Sequence, residues 1–406
     1  MQQIVFILGR QPKLGLAELE SLFGSENVQP IGDVAAIVKT DLSTVQFSRI
    51  GGSIKLASIL TELQTTDWKK IIRYVEDSLP KHLTYIPEGK LKLGLSVFDL
   101  RVDASTINRS ALSLKKIIKA TDRSVRVVPN NEAALNSAQV IHNQLTSDLG
   151  LELLFIRNGN STILAQTIAE QDIESYAARD QKRPMRDARV GMLPPKLAQI
   201  IINLATGMIS PNHGAVVLDP FCGTGVILQE ATIMGYDVYG TDLEPRMIEY
   251  TDTNLRWLLN QPYCPVSRPH ETTSDQNWSY FKAEVGDATS YQWTPMGNVI
   301  ACETYLGRPF SVLPDEETLN GVIKDVNLIL KRFLQNAATQ TATGFPLCIA
   351  VPAWKTPNGF KHLKLLDSLE VLGYTRRSFV HAKTEDLIYF REGQVVGREL
   401  VVLKRT

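Results

Sequence analysis

The chain has 406 residues, more than one ordinary hydrophobic core holds, so two or three domains are expected. Hydrophobic residues make up 44%, which excludes wholesale disorder, and Lys plus Arg and Asp plus Glu both number 43, so net charge alone points to no polyanionic partner. The cysteines, Cys222, Cys264, Cys302 and Cys348, lack CxxC spacing and the six histidines are scattered, which argues against a metal or redox centre and for free thiols in a reducing compartment.

The first ten residues, MQQIVFILGR, carry no basic leader and lose their apolar run at Gly9-Arg10. They read as a strand over 3–8, not as a signal peptide. No later stretch approaches the roughly 18 apolar residues of a membrane helix, so a cytoplasmic protein without a membrane partner is expected. Apolar residues at helical spacing predict a helix over 14–23, stopped by Gly24, and a strand over 34–38 follows. A second α+β unit reads as a strand at 91–100, a helix at 108–120, a strand at 124–128 and a helix at 133–146. A hairpin of 151–156 and 161–168 closes it around Asn158-Gly159-Asn160.

The charge is unevenly spread. Residues 1–190 hold 24 basic and 21 acidic side chains, against 19 and 22 in the remainder. Within 101–126 seven basic residues, among them Arg109, Lys115, Lys116, Lys119, Arg123 and Arg126, face two acidic ones. This is either a surface for phosphates or a solvated helix face. Residues 170–190 are polar and read as a linker, whose basic part is Lys182, Arg183, Arg186 and Arg189.

Pro194-Pro195 then opens a helix over 196–208. Strands are predicted at 215–219, 237–241, 282–286, 298–302 and 346–351, alternating with helices at 226–234, 245–259 and 315–338, the pattern of a doubly wound parallel sheet. A last pair, 386–391 and 398–403, turns at Glu392-Gly393 and completes the sheet edge in antiparallel sense.

The stretch AVVLDPFCGTGVILQEA, 215–231, is the strongest signal. A strand ends on Asp219, a tight loop carries Gly223 and Gly225, and a helix follows. The glycines allow a sharp turn and close approach to a ligand, and helix N-terminal donors face it. A dinucleotide fingerprint would need glycine where Leu228 stands, and the phosphate-loop lysine is absent. In YDVYGTDLEP, Asp242 ends the second strand, either to accept ribose hydroxyls or to cap the next helix. In AEVGDAT, Asp287 ends the third, either to accept from an adenine amino group or to shape a turn.

The string DPFCGTG resembles motif I of S-adenosylmethionine-dependent methyltransferases. With the strand-end loop IACETYLGRP (300–309) at the right distance, the chain resembles the THUMP-domain tRNA guanine-N2 methyltransferases that act at position 10. FILGRQPKLGLAELESLFG resembles that family's ferredoxin-like start. NSAQVIHNQL and TILAQTIAEQD resemble its THUMP domain, RPMRDARVGMLPPKLAQIIINLA its entry to the catalytic domain, and REGQVVGRELVVLK its last hairpin. The resemblance implies an α/β chain with a ferredoxin-like domain over 1–60, a THUMP domain over 61–170, a linker over 171–190 and a Rossmann-like methyltransferase domain over 191–406. It implies S-adenosylmethionine as cofactor, held by Asp219, Phe221, Gly223, Gly225, Asp242 and Asp287, and tRNA as partner, met by the basic 101–126 surface. A guanine flipped into the pocket would be methylated on N2.

The family carries Asp-Pro-Pro-Tyr or Asp-Pro-Pro-Phe in its amine-gripping loop, where this chain has Glu303-Thr304-Tyr305-Leu306. The carboxylate type is kept, both prolines are replaced and the aromatic lies one place earlier. Three outcomes follow: Glu303 and Tyr305 restore the catalytic grip, the base differs, or a tRNA-binding protein without catalysis remains. A DNA amino-methyltransferase is the further alternative. The sequence leaves open a small activating subunit and the choice between mono- and dimethylation.

Overall fold

The structure, a computed structural model, describes residues 2–187, 192–209, 211, 214–265 and 281–406. Arg189 of the basic linker lies outside the described residues. Two compact units form, one from Met1–Leu19, Glu26–Ser48 and Gly52–Ile173, the other from Glu20–Ser25, Arg49–Gly51 and Glu174–Thr406. No helix among the described residues is long and apolar enough to cross a membrane.

The first unit runs β1 (Gln2–Leu8), α1 (Pro12–Phe23), β2 (Val28–Ile31), β3 (Ala35–Thr40), β4 (Ser53–Leu63), α2 (Trp68–His82), β5 (Leu91–Phe98), α3 (Ala104–Ala120), β6 (Val125–Val127), α4 (Ser137–His142), β7 (Gly150–Asn158) and β8 (Ser161–Glu170). All eight strands join one sheet in the order β2-β3-β1-β4-β8-β7-β5-β6. The antiparallel β4–β8 pairing makes the sheet continuous across residue 60, where one domain was expected to end. Buried Lys55 ties it together: its Nζ lies 3.1 Å from Glu152 and 2.7 Å from Glu170.

Asp103 caps α3 by accepting the Thr106 N–H at 2.8 Å. The helix then buries Ile107, Ala111, Leu114 and Ile118 at three- and four-residue spacing, against Ile71, Val75 and Leu79 of α2 and the apolar faces of β5 and β7. The helix expected over 133–146 is shorter. Asn136 and Gln139 form a reciprocal capping box that starts α4 at Ser137. Upstream, buried Asn130 holds the chain in a loop by donating to the Leu95 carbonyl at 2.9 Å.

The second unit runs α5 (Ile173–Gln181), α6 (Pro195–Thr206), β9 (Val216–Asp219), α7 (Val226–Ile233), β10 (Asp237–Asp242), α8 (Pro245–Leu258), β11 (Phe281–Val285), β12 (Val299–Glu303), α9 (Glu316–Gln340), β13 (Pro346–Thr356), β14 (Gly359–Lys361), β15 (Tyr374–Arg376), β16 (Ile388–Tyr389) and β17 (Val396–Arg405). Helix α5 lies within the segment read as a linker. The sheet order is β11-β10-β9-β12-β13-β17-β15, parallel from β11 to β13 and antiparallel beyond. The order reverses between β9 and β12, the switch point where open α/β sheets bind ligands beyond their strands' carboxyl ends. The expected final pair forms, with Ile388 opposite Glu399 and Tyr389 opposite Arg398. The core packs α9, through Val326, Leu330, Phe333 and Leu334, on Ile300, Ile349 and Val401 of the sheet.

Candidate active site

Asp219, Asp242, Val285 and Glu303 are the last residues of β9, β10, β11 and β12, so the parallel sheet sets them along one edge. Buried Asp219 accepts the Phe221 N–H at 3.0 Å, which folds the loop back over the strand end. Asp242 accepts from Gly223 N–H through Oδ2 at 2.9 Å and from Glu244 N–H through Oδ1 at 3.0 Å. The Cys222 N–H bonds the Thr241 carbonyl at 3.0 Å, so the glycine loop is fastened to β10 at two neighbouring positions.

The loop is also held from behind. Thr251 Oγ1 donates to the Gly223 carbonyl at 2.9 Å, Asn254 Nδ2 to the Thr224 carbonyl at 2.9 Å and Gln229 Nε2 to the Gly225 carbonyl at 3.0 Å. Gly225 has φ +80°, and a Cβ there would lie 2.9 Å from Thr251 Oγ1, so this position requires glycine on two grounds. It is also the cap residue of α7 and offers no side-chain acceptor. The first-turn N–H groups of the helix are thereby left for a ligand.

The carboxylates of this edge act on one another. Burial pushes the Asp219 carboxyl well above its usual range, and the charges of Asp242 and Glu303 add to that push. Burial also raises Asp242 against the N–H bonds from Glu244 and Gly223, and raises Glu303 against the charge of Arg398. The edge is thus rich in acid, and a cationic ligand suits it. Arg398, from β17, is buried, and its Nε donates to Glu303 Oε1. The sequence reading missed Arg398, Thr251 and Asn254. A signal existed for the first: Arg398-Glu399 is a charged pair directly ahead of the apolar run Leu400–Leu403 within one strand.

The loop after β12 has its own anchors in place of the two prolines. Buried Thr304 donates to the Ala350 carbonyl twice, from its N–H at 3.0 Å and its Oγ1 at 3.2 Å. Gly307, at φ +84°, packs so closely that a Cβ would lie 2.6 Å from Val322 of α9. Tyr305 stands between these anchors and is 44% exposed.

The other expected site residues fall as follows. Asp287 is exposed, and its Oδ1 accepts the Thr289 N–H at 2.8 Å, shaping the turn after β11 and leaving Oδ2 for a ligand. The Phe221 ring meets Phe333 edge-on at 5.1 Å, so this side chain packs into the core, and its contribution to the loop is its N–H. Two apolar side chains not singled out from the sequence stand exposed at adjacent strand ends, Leu243 at 70% and Val285 at 50%.

One segment upstream reaches the same loop. Asn254 pairs with Met185, accepting its N–H and donating to its carbonyl, both at 2.9 Å. Two residues earlier, Arg183 is buried, with no hydrogen-bond partner for Nε or Nη2 among the described residues. A buried guanidinium with open donors suits a ligand that carries a carboxylate. The acids of the strand edge and the open N-terminus of α7 fit the sulfonium and the ribose of S-adenosylmethionine, whereas the charges that act on Arg183 are those of Asp180, Arg186 and Glu230. Among the described residues no group of three or more His, Cys, Asp or Glu is placed to hold a metal ion, and all four cysteines are free thiols.

In the first unit, Arg109, Lys116 and Lys119 share the exposed face of α3 with Leu112, which is 52% exposed. Lys115 lies half-buried on its flank, and Arg126 is exposed on β6. Arg123 differs. Its guanidinium donates to the carbonyls of Leu83, Ile86, Pro87 and Gly89, and so is committed to the chain itself.

Residues 170–253 match the N6_N4_Mtase family profile, described as DNA methylase. The tRNA (guanine(10)-N2)-dimethyltransferase of Methanothermobacter thermautotrophicus is 46% identical over 95 residues, 23% of this chain and 26% of that protein. The protein of that name from Methanocaldococcus jannaschii is 32% identical over 108 residues, 27% of this chain and 29% of its own length. The chain thus spans little more than a quarter of the length of these curated relatives. Among solved structures, TrmN from Thermus thermophilus aligns with a TM-score of 0.51 at 16% identity, covering 100% of this chain and 99% of its own. The SMU.472 methyltransferase structure complexed with SAH aligns at 0.50 and 12% identity, covering 98% and 97%. The fold is the α/β, Rossmann-like one of these proteins.

Proposed function

We propose that the protein is an S-adenosylmethionine-dependent tRNA methyltransferase that methylates the exocyclic N2 of a guanine at position 10. The observation that carries this reading is Glu303, set by β12 beside Asp219 and the glycine loop and gripped through one oxygen by buried Arg398. The likeness to two tRNA (guanine(10)-N2)-dimethyltransferases supports the guanine and the tRNA. Residues 1–60 act as a ferredoxin-like domain and 61–170 as a THUMP domain, joined by 171–190 to the catalytic domain at 191–406. The exposed cations of α3 and β6, Arg109, Lys116, Lys119 and Arg126, with half-buried Lys115 on their flank, meet tRNA phosphates. The protein works in the cytoplasm, alone or with a small activating subunit.

When bound, S-adenosylmethionine supplies an electrophilic methyl group on a sulfonium. Asp242 accepts its ribose hydroxyls, Asp287 accepts from its adenine amino group, and Leu243 and Val285 cover the adenine faces. The glycine loop, through Gly223 and Gly225, admits the ligand to the N-terminus of α7, and Asp219 with Phe221 holds that loop in shape. The amine of guanine is a weak nucleophile because its lone pair is delocalised into the ring. The free oxygen of Glu303 accepts an N–H hydrogen, localises that lone pair, and takes the proton released as the N–C bond forms and the S–C bond breaks, its electron pair leaving with neutral S-adenosylhomocysteine. Tyr305 stacks on the base. Alignment and exclusion of water supply the rest.

Mass spectrometry of nucleosides from unmodified tRNA treated with the protein and cofactor tests the reading. N2-methyl- or N2,N2-dimethylguanosine is expected, and methylation of DNA in place of RNA would overturn it.

A pH effect follows from the ion pair. Only ionised Glu303 can take the proton that the amine releases, so turnover falls as pH drops through its pKa, which burial holds above the ordinary glutamate range. Arg398 counters that rise, so Arg398→Met should move the acid limb of the turnover profile to higher pH. An acid limb that does not move would remove Glu303 from the rate equation.

A further inference from the structure

Between the loop after β12 and the first turns of α9 lies a cleft lined by Tyr305, Arg308, Thr318, Gly321, Val322 and Asp325. The helical residues fall at spacings of three and four, so one stripe of α9 forms a whole wall. Part of that wall is bare: a Cβ on Gly321 would meet nothing within 4 Å. The opposite wall is the half-exposed ring of Tyr305, whose loop is fixed by the two bonds from Thr304 to Ala350. Because Thr304 turns to the sheet, Glu303 and Tyr305 are the residues on either side of that anchor.

The polar groups of the cleft are of both signs. The Arg308 guanidinium lies 5.4 Å above the Phe310 ring, a contact that leaves its N–H edge open. Among the described residues neither Arg308 nor Asp325 has an ion-pair partner. Thr318 donates its hydroxyl to Asp315 at 2.9 Å and so presents only acceptor capacity to the cleft.

This set is complementary to guanine. Guanine carries acceptors, O6 and N7, on one side and donors, N1–H and the N2 amine, on the other. Arginine matches the first pair and a carboxylate the second. Adenine inverts the pattern: an unprotonated N1 would face the carboxylate and an amino group would face the guanidinium. An aromatic wall suits either purine, so selection falls to the two charges.

We propose that this cleft is the guanine-selecting subsite, in which Tyr305 stacks on the flipped base, Arg308 donates to O6 and N7, and Asp325 accepts from N1–H. The assignment rests on the methyltransferase reading above. It gives the loop after β12 two tasks, gripping the amine with Glu303 and choosing the base with Tyr305 and Arg308.

The test uses the full-length protein and tRNA transcripts carrying guanine or 7-deazaguanine at the target position. Gly321→Leu extends into the cleft from a position where a Cβ meets no atom within 4 Å, and should lower kcat/KM by about 100-fold or more while the Kd for S-adenosylhomocysteine stays at the wild-type value and the Tm does not fall. 7-Deazaguanine lacks the N7 acceptor and should cost the wild-type protein about 10-fold in kcat/KM. Arg308→Met should abolish that difference between the two transcripts. Wild-type kcat/KM in Gly321→Leu, or an equal 7-deazaguanine penalty with and without Arg308, overturns the subsite and leaves the methyltransferase reading standing. Absence of N2-methylguanosine with the wild-type protein overturns the reading itself and the subsite with it.

Discussion

Glu303→Gln should lower the single-turnover rate of methyl transfer by about 10²–10⁴-fold, the usual worth of a positioned general base. Cofactor affinity should barely change, because Glu303 is assigned to the amine. The amide keeps one carbonyl oxygen for Arg398 Nε, so the geometry of the pair survives while its charge does not. Stability should also fall, since removing one charge of a buried pair leaves the other uncompensated, at about 3–5 kcal/mol in comparable cases. That loss confounds any single variant, and a second one resolves it. In Glu303→Gln/Arg398→Met both charges are gone, and such paired replacements are often neutral for folding. The double variant should recover the Tm and remain inactive. Recovery of turnover together with the Tm would show that the carboxylate only holds the strand ends together.

The parts of this site that were legible in the sequence are those written in consecutive residues. Asp219, Gly223 and Gly225 lie in one short strand-loop stretch, and Asp242 and Glu303 each close a predicted strand, so the strand pattern alone sets the three acids on one edge. The pairing of Arg398 with Glu303 was not legible. Arg398 meets Glu303 because β17 runs antiparallel to β13, which itself lies beside β12, and no local pattern encodes that two-strand separation. Asn254 was hidden for the same reason, since it joins Met185 to Thr224 across three elements. In the first unit the strand β4 and the helix α2 went unread. The burial of β4 alternates only in its second half, where SILTEL faces solvent at every other residue, and its first half is buried almost continuously. The basic stretch was read correctly as exposed at Arg109, Lys116 and Lys119 but not at Arg123, whose carbonyl partners come from a loop more than thirty residues upstream. The strand-end loop shows the converse. Its missing prolines suggested a loosened grip, yet Thr304 and Gly307 supply contacts that hold it in their place.

Asp242→Ala should weaken S-adenosylhomocysteine binding by about 100-fold or more, because charge-assisted hydrogen bonds contribute about 1.5–3 kcal/mol each and two ribose hydroxyls lose their acceptor. The two backbone bonds to Asp242 leave room for those hydroxyls. Each carboxylate oxygen has two lone-pair sites; Oδ2 uses one for Gly223 N–H and Oδ1 one for Glu244 N–H. One site per oxygen remains, and the two N–H bonds fix the plane in which both lie. The side chain shapes the turn into α8, whose N-cap is Glu244, so the helix-cap reading of Asp242 falls away and its remaining acceptor sites are open to the proposed ribose. The turn and ribose roles separate by ligand and by pH. An analogue lacking the 2′-hydroxyl should lose affinity for the wild-type protein but not for Asp242→Ala, whereas a purely structural role would give the same loss in both. Burial raises the Asp242 pKa, and only the ionised form accepts from both hydroxyls, so wild-type affinity should fall as pH drops through that raised value. Asp242→Asn cannot titrate, and its weaker affinity should show a flatter pH dependence. Calorimetry giving parallel pH curves for the two proteins would remove Asp242 from the ribose site and leave it only the anchor of the glycine loop and of the turn into α8.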